Sequence, residues 1–484
     1  MPQRRLRHLL WAFTVALGGL RLFYLTADFP NNTVWAVDQA KFTDEGWWGH
    51  AATMHRLTGH WNVPGDYNPA AALPVWPALL GVVFHYSGVS LVAARALAVG
   101  LSLGTLVVVY LLVRRYGGEM AACVAALMVA ASPFAFVFSR LAILDSLLIF
   151  EFCGLMLLAA YAAGERMWRL AGLTVLTTAM LLTKTTAAVL LPAVGWLAWT
   201  AMGKSRGALL RVVVALVVLP AILLQAYAGL VGWLGYGADY HYFFGVNRMS
   251  DMVWGQSFAA IWKVLCDCLW IDPILYPASV VVLVLSLTWL RRLWSNPLFA
   301  AAWIAFLSQA VFLFRRSDDY APRYLLMMLV PVVVIVVLAA GELRGRNRIA
   351  ATIAMAVIAV STIVNVVKIG SYVARREFCF YNAALSIQKI VESDAGQNKE
   401  MVGISASQLS LMTGIPSIND AYGTMGLAEK VKLYQPGWYV AWNGIGPNER
   451  TALANYRMDP VASYPLFDDD ERNLLILYRM ERVR

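Results

Sequence analysis

Charge is scarce in this chain. Asp, Glu, Lys and Arg make up only 14% of its 484 residues, against roughly 25% in an average soluble protein. Hydrophobic residues make up 60%, and the mean hydropathy is +0.61. These values exclude a single soluble globule, which could not hide so much apolar surface, and equally a disordered chain. Cysteine is sparse as well. Cys123 and Cys153 sit in apolar runs, and Cys266 and Cys268 are too close for an ordinary bridge. No histidine or third cysteine stands near that pair to suggest zinc, so free thiols are expected, Cys379 included, and a disulfide scaffold is excluded. The chain has no internal repeat and no low-complexity tract, and it is not a collagen. A multi-span membrane protein remains, because lipid solvates this composition cheaply.

The charge that is present lies unevenly. Residues 1–370 hold 27 Lys/Arg against 16 Asp/Glu, whereas residues 371–484 hold 12 against 13. The basic excess belongs to the apolar part, where it reads as topology and headgroup contact and not as nucleic-acid binding. Long apolar runs near 9–25, 89–113, 119–138, 143–163, 167–183, 185–203, 208–234, 273–294, 297–314, 321–341 and 348–370 predict about eleven transmembrane helices. Arg4, Arg5 and Arg7, Arg114 and Arg115, Arg166 and Arg169, Lys204, Arg206 and Arg211, Arg291 and Arg292, and Arg344, Arg346 and Arg348 fall on alternate loops. The positive-inside rule assigns all of them to the cytoplasm, with the N-terminus. An odd span count then sends the tail to the extracytoplasmic side. Arg315, Arg316 and Arg323 form an exception on that outer face.

The outer loops, 27–88 and 235–272, are not bare linkers. Residues 44–58 and 70–86 suit helices lying on the membrane surface. The tail differs in kind. Met401–Ile404, Trp438–Trp442 and Leu474–Tyr478 read as strands, and 381–393 and 447–456 as helices. The expected fold is an all-α polytopic membrane domain over 1–370 plus a small C-terminal α/β extracytoplasmic domain over 371–484.

Unusual polar residues gather on the outer face. Asp44 and Glu45 are adjacent in Phe42-Thr43-Asp44-Glu45-Gly46-Trp47-Trp48. Helix neighbours point about 100° apart, so the two carboxylates cannot share one role. One can act on substrate while the other fixes the helix or a cation, or both can be acids favoured in a first helical turn. Asp145 lies between two apolar runs, where a carboxylate costs roughly 2.5–3.5 kcal/mol if it reaches the helix centre. Arg95 and Arg140 are its candidate partners. Glu151, deeper in the same run, reads as a structural hydrogen bond or pair. Lys184 interrupts Leu181-Leu182-Thr183-Lys184-Thr185-Thr186, and Arg323 stands in Pro322-Arg323-Tyr324. Two such cations suit a phosphate diester at the lipid interface, and each also suits snorkelling to headgroups. The aromatic stretch Trp233 to Phe244, Tyr240 included, suits sugar faces and also a membrane-interface belt.

Taken together, an acidic pair in the first outer loop, an Arg-x-Ala-x-x-Asp element, a Thr-Lys element and an Arg-Tyr-Leu-Leu element resemble the GT-C membrane glycosyltransferases. The likeness is to those similar to the aminoarabinose transferase of lipid A and the protein O-mannosyltransferases, and it covers roughly residues 5–345. It implies a polyprenyl-phosphate sugar donor, a hydroxyl acceptor of unknown identity, and transfer with inversion at a cell-membrane enzyme in contact with lipid. It also implies Asp44 as catalytic carboxylate, Glu45 as its partner, Asp145 as the second acidic position, and Lys184 and Arg323 as donor-phosphate ligands. His50, Tyr240 and Tyr324 are the expected substrate-lining side chains. Thr185 and Thr186 replace the family's Gly-Pro after the lysine. Where the aminoarabinose transferases show Lys-Pro-Pro-Leu, this chain has Tyr67-Asn68-Pro69-Ala70, so a loop lysine for the donor phosphate is absent. No cofactor is specified, and a divalent metal is left open. Two other classes stand beside the enzyme: a lipid-linked sugar transporter or flippase, against which the lack of repeat symmetry counts, and a non-catalytic sugar-binding subunit.

Overall fold

The computed structural model describes residues 3–30, 39–162, 167–247, 254–268, 270–314, 322–468 and 470–483. Arg166, Arg315 and Arg316 lie outside the described residues. Among the described residues, five helical segments are long and apolar enough to cross a membrane: Leu91–Ala131, Arg206–Trp233, Pro297–Phe314, Pro322–Arg346 and Arg348–Ser393. Shorter apolar helices are Val75–Ser87, Met167–Thr183, Thr185–Ala201 and Leu275–Leu287. This makes a helical membrane part, although length and composition single out fewer spans than the eleven runs predicted. Within Leu91–Ala131 two helices meet end to end at Gly118, whose φ of +81° and ψ of 174° break the helical path, so the runs 89–113 and 119–138 stay distinct inside one long segment. A residue with a Cβ rarely adopts that angle.

Local chemistry sets the helix ends. Ser90, Ser205 and Asn347 each accept a hydrogen bond from a first-turn amide of the helix that follows, as capping residues do. A π-helical turn at Val214–Val218 ends two residues before Pro220, which has no N–H to give the ladder. The Leu326–Arg346 helix is apolar almost all round, and it is buried through most of its length, as expected for the centre of a bundle. It packs against Pro297–Phe314, Leu91–Ala131, Arg348–Ala374 and Leu275–Leu287.

The tail is a mixed five-stranded sheet with order β2-β1-β3-β5-β4. The strands are β1 Met401–Val402, β2 Ser417–Ile418, β3 Trp438–Trp442, β4 Tyr456–Pro465 and β5 Leu474–Arg482. β1 is parallel to β2 and β3, whereas β5 runs antiparallel to β3 and β4. Pro460 cannot donate to a ladder, and β4 slips register between Pro460 and Ala462. Alternation along β3 determines what the sheet touches. Trp438 and Val440 join Phe380, Ile387 and Val391 of the Cys379–Ser393 helix. Tyr439 and Ala441 face the other way, into a cluster with Met54 and Val63 of the first loop. The first loop and the tail therefore share a core.

That sharing overturns one expectation. The Asp44–Thr58 helix has the predicted bounds but does not lie open on a surface. It is buried from Asp44 to Met54 at nearly every position, between the Val75–Ser87 and Ala406–Thr413 helices, because the tail covers its polar face.

Candidate active site

Glu45 is a hub. Its two carboxylate oxygens accept from Arg95 Nε at 2.7 Å and Nη2 at 2.6 Å. Oε1 also accepts from the Ala142 amide at 2.7 Å, and Oε2 from Gln408 Nε2 at 3.0 Å. The guanidinium is completed by the carbonyls of Leu25 and Ala27, each 2.6 Å from Nη1. Both side chains are buried, so a bidentate pair in which each carboxylate oxygen accepts twice and four of the five guanidinium N–H groups donate is what makes the charges tolerable there. Arg95 thus belongs to Glu45 and not to Asp145. Arg140 does not reach Asp145 either. It donates to the carbonyls of Phe23 and Tyr24 at 2.7 Å.

Asp44, one residue earlier, faces elsewhere. Its Oδ2 is paired with Arg323 Nη1, and both side chains are buried. The two neighbours of the acidic pair thus take different cations on different sides, as the 100° helical step requires.

Asp145 begins the Asp145–Ala160 helix, and its Oδ1 lies 3.1 Å from Lys184 Nζ. Lys184 reaches it because the β-branched Thr183, Thr185 and Thr186 disfavour continued helix. The residue adopts an extended conformation, φ −159° and ψ 111°, between Met167–Thr183 and a 3₁₀ turn at Thr185–Leu190. One step back, Thr183 Oγ1 donates to Glu151 Oε1 at 3.1 Å, the structural hydrogen bond read for Glu151. Lys184 Nζ lies 5.2 Å from the centroid of the Tyr324 ring, and Arg323 Cζ lies 5.8 Å from it, within cation–π range. Gln309 Nε2 donates to the Tyr324 carbonyl at 3.0 Å. Asp145, Lys184, Gln309 and Tyr324 line a recess together with the apolar Leu148, Leu190, Phe312 and Met327. Five predicted residues are thereby brought together: the pairs Asp44–Arg323 and Asp145–Lys184, each with its cation within about 6 Å of the centroid of the Tyr324 ring.

His50 and Tyr240 stand apart from this set. His50 Nε2 lies 3.2 Å from Asp66 Oδ2, and Lys430 Nζ lies 2.9 Å from Asp66 Oδ1. All three side chains are buried. Burial works against ionisation of Asp66, but the His50 contact and the Lys430 charge outweigh it and hold its carboxyl below the usual range. Tyr240, half-buried on the Gly237–Val246 helix, packs its ring 5.0 Å from that of Phe244. Asn68 donates to the Val63 carbonyl at 2.8 Å and to Asp239 Oδ1 at 3.2 Å. It knits the loop to that helix. Among the described residues no group of three or more His, Cys, Asp or Glu is arranged to hold a metal ion.

Sequence reasoning missed Gln408 entirely. It is a neutral amide inside a tail helix, and no local pattern distinguishes it.

Residues 68–224 match the family model for dolichyl-phosphate-mannose-protein mannosyltransferases. The fold resembles ArnT from Cupriavidus metallidurans bound to undecaprenyl phosphate, with a TM-score of 0.63 and 16% identity over 97% of each chain. The same protein in its apo state gives 0.62 and 18% over 97% of each chain. An oligosaccharyltransferase from Archaeoglobus fulgidus, in complex with zinc and sulfate, gives 0.55 and 11% over 95% of this chain and 73% of the other. No curated protein sequence matches the chain.

Proposed function

We propose that the chain is a membrane glycosyltransferase of the GT-C type, a reading supported by the family match and the shared fold, and that it moves a sugar from a polyprenyl-phosphate donor to a hydroxyl acceptor on the extracytoplasmic face. The observation that carries this reading is the pairing of Lys184 and Arg323 about one ring, each already holding a carboxylate. A donor phosphate would compete for both cations. As Arg323 turns to the phosphate, Asp44 is released from its ion pair and becomes available as a base. Asp44 takes the proton of the acceptor hydroxyl, and the oxygen attacks the anomeric carbon from the face opposite the phosphate. The bond from that carbon to the phosphate oxygen breaks, and polyprenyl phosphate leaves with the electron pair, giving inversion. Asp145 holds Lys184 in place, and Glu45 holds the helix that carries Asp44. The apolar wall of Leu148, Leu190, Phe312 and Met327 suits the first isoprene units of the lipid. ArnT from Cupriavidus metallidurans was solved with undecaprenyl phosphate, which supports a lipid of this class as donor carrier. In this reading the N-terminus is cytoplasmic and residues 371–484 form the extracytoplasmic domain.

The test is transfer by purified protein from a short-chain polyprenyl-phosphate sugar to an acceptor pool extracted from the host envelope. Wild type should consume the donor and release the lipid phosphate. Asp44→Asn should bind donor yet turn over 10²–10⁴-fold more slowly, the usual cost of removing a positioned base. Near wild-type turnover by Asp44→Asn would overturn the base assignment. Movement of intact donor across vesicles without its consumption would favour a transporter instead.

A further inference from the structure

The acidic helix lacks the cap its sequence offers. Thr43 occupies the N-cap position, but its hydroxyl makes no bond to the helix's first turn. Thr43 Oγ1 donates instead to the Ile404 carbonyl at 2.8 Å. First-turn amides of a buried helix need partners, and one is supplied from the far end of the chain. Gln408 Oε1 accepts from the Gly46 amide at 2.8 Å, while its Nε2 donates to Glu45 at 3.0 Å. Trp47 Nε1 reaches the Ile404 carbonyl as well, at 3.3 Å. Residues 43, 45, 46 and 47 are thus anchored on the segment 404–408. Asp44 stands among them and alone of the five points to Arg323. The approach is close enough that a Cβ on Gly46 would collide with the backbone of Ser407 and Gln408.

We propose that Gln408 is a positioning residue for sugar transfer: it caps the acidic helix in trans and sets the angle at which Asp44 meets the acceptor hydroxyl. The inference rests on the transfer reading above. It makes the tail part of the active site and not an accessory, because the amide works as a two-sided ruler. Its donor end reads Glu45 and its acceptor end reads the next residue's N–H, so the helix can neither rotate nor slide without losing one of them. Ala removes both bonds. Glu keeps both only while protonated, when its O–H can donate to Glu45 and its carbonyl can accept from Gly46. Ionised, it sets a like charge against Glu45.

The experiment compares wild type, Gln408→Ala and Gln408→Glu in purified full-length chain. Hydrogen exchange over residues 42–48 should quicken at least tenfold in Gln408→Ala. Its kcat should fall at least tenfold with the donor KM changed less than twofold. Gln408→Glu should recover toward wild type in acid, its kcat relative to wild type being at least tenfold higher at pH 5.5 than at pH 8. Wild-type turnover by Gln408→Ala, or a Gln408→Glu ratio that is flat with pH, would overturn the proposal. If wild type itself transfers no sugar, the transfer reading fails and the exchange decides the cap. Unchanged exchange over 42–48 would then refute it.

Discussion

The Glu45–Arg95 pair permits a prediction with a worked magnitude. Glu45→Leu leaves the Arg95 guanidinium buried with two carbonyls and without its paired carboxylate. Arg95→Met leaves a buried carboxylate with one backbone amide and one side-chain amide. Breaking a buried pair from one side costs about 3–5 kcal/mol, whereas replacing both partners by apolar groups of similar volume is often neutral. Unfolding entropy of about 2.1 cal/mol/K per residue over 484 residues is roughly 1 kcal/mol per degree. Each single variant should therefore lose about 3–5 °C in Tm, and the double variant Glu45→Leu/Arg95→Met should lie within about 2 °C of wild type. The measurement is thermal unfolding in fixed detergent, read by intrinsic tryptophan fluorescence and by monodispersity. Additive losses in the double variant, or single losses under about 1 °C, would show that the hub does not hold the helix. The double variant should still be inactive if the hub's task is to place Asp44.

Further outcomes follow from the same contacts. Lys184→Ala should weaken binding of polyprenyl phosphate at least tenfold, since a charged hydrogen bond contributes about 1.5–3 kcal/mol; a lipid titration by intrinsic fluorescence checks it, and an unchanged Kd refutes it. Gly46→Ala should cut activity and stability together by forcing the acidic helix off the Ala406–Thr413 helix, whereas Gly341→Ala, with open space around its Cβ, should do neither. Asp66 has a carboxyl held below its usual range in the folded chain, so its contribution to stability is full above the unfolded value of about 3.9 and is lost as pH falls through the lower folded value; the acid limb of a Tm-against-pH profile should be shallower in Asp66→Asn, and an unaltered slope counts against this. A reporter enzyme active only outside the cytoplasm, fused after Arg484, should be active. Activity from a cytoplasm-only reporter there would reverse the topology.

Much of this protein was written locally. Met167–Thr183, Pro297–Phe314, Asp44–Thr58 and Trp438–Trp442 coincide with stretches legible in the chain, because apolar run length and side-chain periodicity act over one element at a time. The polar residues that ended near Tyr324 were legible too, since a charge inside an apolar run is costly enough to need a reason. Partnerships were not. Arg95 lies 50 positions from Glu45, and Arg323 lies 279 from Asp44. Asp145 had two arginines as candidates and took Lys184, because only the break after Thr183 aims that lysine at it. β4 was missed because its half-exposed face and two prolines read as loop, and pairing with β5 makes it a strand. Gln408 carries no charge and no motif. Its importance exists only where the tail folds back on the first loop, since a hydrogen bond between residues 362 positions apart is decided by packing and not by propensity.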